Sequence, residues 1–549
     1  METWSLIFFS TISLCIFTIV FKSITSKIVS LNNDKPTLKR LPLPPGPSTL
    51  KVIKSFLIHI WHRSTVFDME SKLRQVKLRY GPLFSLGLKS KPTIFIAGHS
   101  LAHLALIQKG SVFSSRPTAH NATFSKIFDS NAHKISTAAY GATWRLLRRN
   151  LFSEMLHPSR VKLYSRARRW VLSLLIRQLI GQNPQPIQVF EHFRYAMFSL
   201  LVFMCFGDKL PEEKIREIEG LQRRWLLSLG RLNMFIIWPK LGKILFGKQW
   251  EELFQVRNEQ VNTFLPLIRA RIDRKEQSKS DAVDEPVAYV DTLLDLQLPD
   301  ESRKLNDQEL VSLTGEFLNT GADTTATALQ WIMANLVKYP AIQDKLFEEI
   351  VEVVGQPKAL SISVENDEED NHSEDDLLEG LCVKEEDIEK MPYLKAIVLE
   401  ALRRHPPANF VLPHSVTEDV ELEGYLIPKN ATVNVMVSDL GWDPNVWEDP
   451  MEFRPERFLL ERSSSANNDS ALFDLTGNKE IKMMPFGVGR RMCPGYGLAL
   501  LHLEYFVANL VWNFEWKGVD GVEVDLSEKQ EFTVTMKNPL RAHISPRIQ

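Results

Sequence analysis

PFGVGRRMCPGYG, residues 485–497, sets one of only four cysteines in the chain, Cys493, between glycines, with two arginines before it and a long apolar run after it. Gly487, Gly489 and Gly495 permit a tight, irregular loop and let backbone come close to a flat partner. The run LALLHLEYFVANLVW that follows reads as a strong helix. Cys493 therefore falls just before or at a helix N-terminus, where the dipole and unpaired N–H groups favour thiolate over thiol, and Arg490 and Arg491 add positive charge near the sulfur. An isolated cysteine among apolar residues is more often a small buried hydrophobe. A thiolate with no partner cysteine also suits a single soft metal position, such as the axial site of a haem iron.

The rest of the chain narrows the choice. Its 549 residues are 44% hydrophobic and 24% charged, an ordinary globular composition with enough apolar content for a sizeable core. A formal net charge of −1 supplies no global field for nucleic acid, so no nucleic-acid partner is expected. Cys15, Cys205, Cys382 and Cys493 are far apart, with no C-x-x-C pair and no histidines at zinc spacing. Neither a zinc module nor a secreted disulfide scaffold is indicated, and the body is expected to face a reducing compartment.

Residues 4–21, WSLIFFSTISLCIFTIVF, carry no charge and approach the length of a membrane-spanning helix. Glu2 in place of a basic leader, and no small-residue cleavage site, favour an anchor over residues 1–21 rather than a cleaved signal. Lys22, Lys27, Lys35, Lys39 and Arg40 follow it and no Lys or Arg precedes it, which places the C-terminal side in the cytosol. Residues 22–47 then form a basic, proline-rich hinge ending in LPLPPGP, stiff because proline fixes φ. Residues 48–549 are expected to be one domain.

Within that domain helical patterns dominate. The stretches GPLFSLGL and KPTIFIAG (81–98) read as a strand pair, and VELEGYLIPKNATVNVMV (420–437) as a second strand-rich patch. The longest helical pattern spans 306–339, with Asn306 as N-cap and Pro340 ending it and starting the next helix. Such a helix must cross the core. Inside it NTGADTTAT (319–327) places glycine and several threonines, which weaken and bend a helix. The acidic run within 356–380 and SSSANNDS (463–470) read as solvated loops.

Phe486, Gly489, Arg491, Cys493 and Gly495 form F-x-x-G-x-R-x-C-x-G, which resembles the haem-binding loop of the cytochrome P450 superfamily, and the wording PFGVGRRMCPG looks like its microsomal, plant-type branch. Glu400 and Arg403 in LEALRRHPP, with Arg457 in FRPERF, resemble the family's E-x-x-R helix and P-E-R-F turn, a Glu–Arg–Arg lock that organises the fold under the haem. Trp144 and Arg148 in WRLLR resemble the W-x-x-x-R that hydrogen-bonds a haem propionate, with Arg491 and His414 helping from the other side. His414, in VLPHSV, stands where many relatives have arginine, and a structural histidine fits there equally well. NTGADTTAT resembles the oxygen-binding groove. The resemblance makes Asp323 and Thr324 the proton-delivery pair, while Thr320 departs from the family's small residue.

The resemblance thus implies a mainly α fold with a minor β-sheet region, haem b held between the long central helix and the Cys-loop helix, and Cys493 as its thiolate ligand. The implied activity inserts one atom of dioxygen into a small apolar organic substrate at the endoplasmic reticulum membrane. No nicotinamide fingerprint or flavin module occurs in the sequence, so electrons are expected from a separate protein, which the resemblance identifies as NADPH–cytochrome P450 reductase, and the basic 145–169 region suits its docking. Two other readings stand beside it: a haem-thiolate isomerase or dehydratase of the same fold, which would turn over without NADPH, and a non-catalytic haem or electron carrier. Phe113, Phe124 and Phe128 are guesses for the pocket lining. Asn121, Asn371, Asn430 and Asn468 head Asn-x-Ser/Thr triplets that stay unmodified if the body is cytosolic.

Overall fold

The computed structural model describes residues 41–48, 70–88, 91–117, 133–181, 185–229, 246–277, 286–357, 382–459 and 473–547. The anchor, most of the hinge, Phe124, Phe128, nearly all of the acidic run, SSSANNDS, Asn121, Asn371 and Asn468 lie outside them. Among the described residues no helix is long and apolar enough to cross a membrane.

Ten helices carry the architecture: α1 (Glu70–Tyr80), α2 (Ala142–Leu151), α3 (Ser165–Ile180), α4 (Phe190–Phe206), α5 (Glu212–Leu229), α6 (Gly247–Gln277), α7 (Asp307–Lys338), α8 (Pro340–Val354), α9 (Pro392–Arg404) and α10 (Tyr496–Asn513). The central one is α7, about 50 Å long at the usual rise. Asn306 caps it: its side chain accepts from Glu309 N, and Glu309 returns a bond to Asn306 N, each at 2.9 Å. Tyr339 closes it and Pro340 opens α8. Most of its residues are buried, as a helix enclosed by others requires. It packs against α4, α6, α9 and α10.

The helix runs unbroken through NTGADTTAT. Gly321 has a packing reason, since a Cβ there would come within 2.5 Å of Leu201 Cδ1 on α4. Thr320, Thr324 and Thr325 turn their hydroxyls back to the carbonyls of Glu316, Thr320 and Gly321 at 2.8, 2.7 and 2.7 Å. The expected weak spot is present as chemistry, while its glycine serves close helix contact.

Sheet is minor. Strands β1 (Leu83–Leu88) and β2 (Lys91–Ile96) pair antiparallel, and β2 continues into the parallel β5 (Thr432–Val435), which β4 (His414–Ser415) flanks. A short β3 (Ile187–Gln188) joins β6 (Phe514–Gly518) and β9 (Arg541–Pro546), while β7 (Glu528–Gln530) and β8 (Val534–Met536) form a hairpin against α7. The prolines of LPLPPGP are not a free linker. Pro45 O accepts Ser85 N at 2.8 Å, Pro44 O accepts Ser85 Oγ, Pro42 O accepts Leu426 N, and a Cβ on Gly46 would strike Ser85 O. LPLPPGP is therefore packed against the strands of the body.

Under α9, Glu400 and Arg403 are fully buried and joined by two hydrogen bonds of 2.7 and 2.8 Å. Glu400 Oε1 also accepts Arg457 Nε at 3.2 Å and Arg454 N at 2.8 Å. Arg403 donates onward to the carbonyls of Gly441, Pro450 and Glu452. Spending every donor and acceptor is what makes a buried ion pair tolerable. It fixes the 441–457 segment against α9.

Candidate functional site

The cysteine loop precedes α10 by three residues, with Gly495 as the N-cap. Its turn is closed by Cys493 N donating to Phe486 O at 2.8 Å. Gly487 and Gly489 have φ of 66° and 71°, and a Cβ on Gly489 would come within 2.3 Å of Leu106 O. Conformation and space both demand glycine at 489. Phe486 is half-buried, its ring 6.3 Å from that of Tyr496.

The charge acting on Cys493 is not the expected one. Arg490 donates to Tyr140 Oη at 2.9 Å, and Arg491 to the carbonyls of Ser114, Ile135 and Ala138. Arg148, which also donates to Met492 O, is the cation that acts on the sulfur. Burial nevertheless outweighs Arg148 and the Gly495 N–H, pushing the Cys493 thiol up.

Around this loop lie Trp144, Arg148, Arg491 and a residue the sequence did not single out, Arg116. Trp144 Nε1 and Arg491 Nη1 meet on one carbonyl, Ile135 O, at 3.0 and 3.2 Å, and the Arg491 guanidinium lies 4.2 Å from the Trp144 ring centre. Arg116 is buried and donates to Leu412 O, Pro413 O and Ser136 O. Burial pushes it down to about 9, with repulsion from Arg491 second; Arg491 is pushed down to about 10 by burial and repulsion from Arg148. Three guanidiniums thus crowd one another. The carboxylate opposing Arg116 is Glu316, whose oxygens already accept Ile135 N, Ser136 N and Ser136 Oγ.

His414 borders this donor set, close enough for Arg116 and Arg491 to act on it. Its Nδ1 pairs with Phe113 O at 2.7 Å, and burial, with Arg116 next, pushes it down to about 3. A neutral ring donating from Nδ1 presents an acceptor at Nε2, while Arg116 beside it carries guanidinium donors. Phe113 is itself buried and supplies that carbonyl.

On α7 the expected pair Asp323 and Thr324 is adjacent in sequence but turned to different neighbours. Thr324 is half-buried and Thr320 exposed, in the middle of an otherwise enclosed helix. Glu316, Thr320 and Thr324, four apart, therefore mark one open face. Asp323 is buried and accepts Thr533 Oγ1 at 3.2 Å; Thr533 also bonds Thr327. Arg223 Nη1 lies 3.6 Å from Asp323, pairs with Glu531, and Glu531 meets the exposed Lys529 at 2.8 Å. Burial raises the Asp323 carboxyl, while Arg223 and Arg194 oppose it. The result is a charged chain from a buried carboxyl to the surface. Arg223 and Thr533 carry no local sequence signature; only the fold brings them to Asp323.

The profile of the cytochrome P450 family matches residues 44–544. The chain belongs to the cytochrome P450 family. It is 46% identical over 516 residues to cytochrome P450 89A9 of Arabidopsis thaliana, covering 92% of this chain and 94% of the relative. It is 28% identical to flavonoid 3',5'-hydroxylase of Campanula medium, over 92% of each chain. A zebrafish cytochrome P450 structure with progesterone has the same fold, with a TM-score of 0.67 at 21% identity over 86% of this chain and 98% of that one. As a cytochrome P450 the chain is an oxidoreductase, a haem-thiolate monooxygenase that uses a cysteine-ligated haem, dioxygen, an organic substrate and a redox partner. The residues present fit that cofactor: one thiol in a glycine-built loop, and three crowded guanidiniums suited to the carboxylates of a flat dianion.

Proposed function

We propose that this P450 is anchored in the endoplasmic reticulum membrane by residues 1–21, takes electrons from NADPH through a separate P450 reductase, and inserts one oxygen atom into a small, largely apolar organic molecule. The observation carrying the reading is the half-buried Cys493 thiol in its glycine-built loop, in a chain whose central helix also bears an open face with the hydroxyls of Thr320 and Thr324. Cys493 would ligate the haem iron, Phe486 would flank the sulfur, and Trp144, Arg148, Arg491 and Arg116 would hold the propionates. When bound, the haem supplies dioxygen activation, with thiolate donation favouring O–O cleavage.

The protein's own part is proton supply. Thr324 offers a hydroxyl on the open face, and Asp323, raised by burial and linked through Arg223 and Glu531 to the surface, is suited to pass protons inward. Asp323→Asn is expected to slow product formation about 10–100-fold while NADPH consumption falls less, since an unprotonated path wastes electrons. Equal product yield per NADPH in the variant and the native enzyme would remove Asp323 from the relay.

The test of the whole reading is reconstitution with reductase, NADPH and an apolar substrate panel: one oxygen gained per molecule supports it, and NADPH-independent isomerisation contradicts it. Membrane fractionation of the full chain tests the anchor. Asn430 is exposed in an Asn-Ala-Thr triplet, so a glycan there would place the body in the lumen.

A further inference from the structure

Asn409, shortly after α9, is buried, and its amide is held from three directions. Nδ2 donates to Glu70 on α1 and to Gln530 Oε1 on β7, the latter at 2.7 Å, and Oδ1 accepts from Ser438 Oγ. Its backbone O also accepts Val437 N at 2.8 Å. An amide with both hydrogens and its oxygen engaged cannot turn, so it fixes its partners' orientation along with its own. Gln530 carries that constraint onward: with Oε1 held by Asn409, its Nε2 donates to the next carbonyl, Glu531 O, at 3.2 Å. Glu531 pairs with Arg223, whose Nη1 lies 3.6 Å from Asp323, and Thr533 donates to Asp323 at 3.2 Å. Glu531 N donates to Thr533 O at 3.0 Å, and Val534 N to Pro407 O at 2.9 Å. At the other end of β7, Glu528 meets His405, whose ring stacks on Trp331 of α7 with centres 4.0 Å apart. The hairpin that brings Glu531 and Thr533 to the Asp323 cluster is thus seated on residues 405–409.

We propose that Asn409 is a positioning residue for proton delivery, which acts through Gln530 to keep Glu531 on Arg223 and Thr533 on Asp323. The proposal deepens the monooxygenase reading and rests on it for the use of the relay. A hydrogen bond weakens steeply as its angle and length depart from the optimum, so a relay of several bonds is sensitive to how its parts are seated. Losing the two Asn409 donors should therefore cost proton supply more than substrate binding. The chain of contacts from Asn409 through Gln530, Glu531 and Arg223 to Asp323 gives the route by which that loss is felt.

Asn409→Asp keeps the shape of the side chain and the acceptor for Ser438 but removes both donors. Oxidation of the panel molecule that the native protein turns over fastest is measured with reductase and NADPH, and again with iodosylbenzene, which gives up an oxygen atom without needing a proton. The haem-loaded variant should lose about tenfold in product per NADPH in the first assay and change little in the second. Added to Asp323→Asn, the same substitution should make little further difference, because both act on one relay. Hydrogen exchange at the Glu531 and Val534 amides reads the seating without turnover and should quicken several-fold in Asn409→Asp. Gln530→Met cuts the same link from the hairpin side and should reproduce each effect, which decides the matter even if Asn409→Asp fails to fold. Unchanged product per NADPH, an equal loss with iodosylbenzene, losses that multiply with Asp323→Asn, or unchanged exchange would each overturn the proposal. Failure of the monooxygenase reading shows differently, as no oxygenated product from the native protein with either oxygen source.

Discussion

Gly489 shows how much one residue decides in the cysteine loop. Its positive φ and its approach to Leu106 O leave no room for a side chain, so Gly489→Ala should cost about 2–4 kcal/mol in chemical denaturation and lower haem retention. Gly487→Ala, with φ of similar sign but its nearest neighbour 3.7 Å away, should cost less. Glu504, on the helix that follows, makes a pH prediction. Burial raises its carboxyl from 4.5 to about 7 against the pull of Lys395. The native state then keeps a proton that the unfolded chain releases, so this contribution is full below about pH 4.5 and disappears as pH rises through 7. Glu504→Gln should raise stability relative to native protein at pH 8 and change it little at pH 4.5. A variant equally stabilised at both would contradict that account. At this scale the sequence was most legible where a loop is built from neighbours, as around Cys493. It was least legible where a side chain's partner is distant: Arg116, Arg223 and Thr533 gain their meaning from contacts spanning hundreds of residues.

Among elements, α7 was readable to within a residue at both ends because its signals are local, an Asn306–Glu309 capping box and Pro340 after the last turn. Asn306→Ala should cost about 1 kcal/mol. Its middle was legible in composition but not in cause, since Gly321 answers to Leu201 on α4, which no local pattern reveals. The direction of the Asp323 and Thr324 side chains was likewise hidden. The connection from α9 to the 441–457 segment depends on Glu400, and Glu400→Ala would strand the buried Arg403 charge. A loss of about 3–5 kcal/mol is expected in urea unfolding, against a fraction of that for an exposed ion pair.

For the whole molecule, the basic 145–169 region divides once folded. Arg145, Arg149, Lys162 and Arg166 are exposed, while Arg168 is fully buried and paired with Glu385, Arg148 turns toward Met492 O, and Arg160 meets Glu154. Sequence charge alone could not separate these roles. A docking test therefore belongs on Arg149 and Lys162: the double charge reversal should weaken reductase-supported turnover several-fold at low salt and progressively less as salt rises. Unchanged turnover at low salt would remove this surface from reductase docking. The fold class, the central helix and the strand patches were all legible, because burial periodicity and turn residues set them locally. The docking of LPLPPGP onto β1 was not, since a proline-rich run reads the same whether packed or free.

The central claim, a haem held by Cys493, is tested most directly by the carbon monoxide difference spectrum of the reduced, haem-supplied protein beside that of Cys493→Ser. The account predicts a band at the red-shifted position of a thiolate-ligated haem in the native protein and its loss in the variant. A native protein without that band, or a variant that keeps it, would contradict the account.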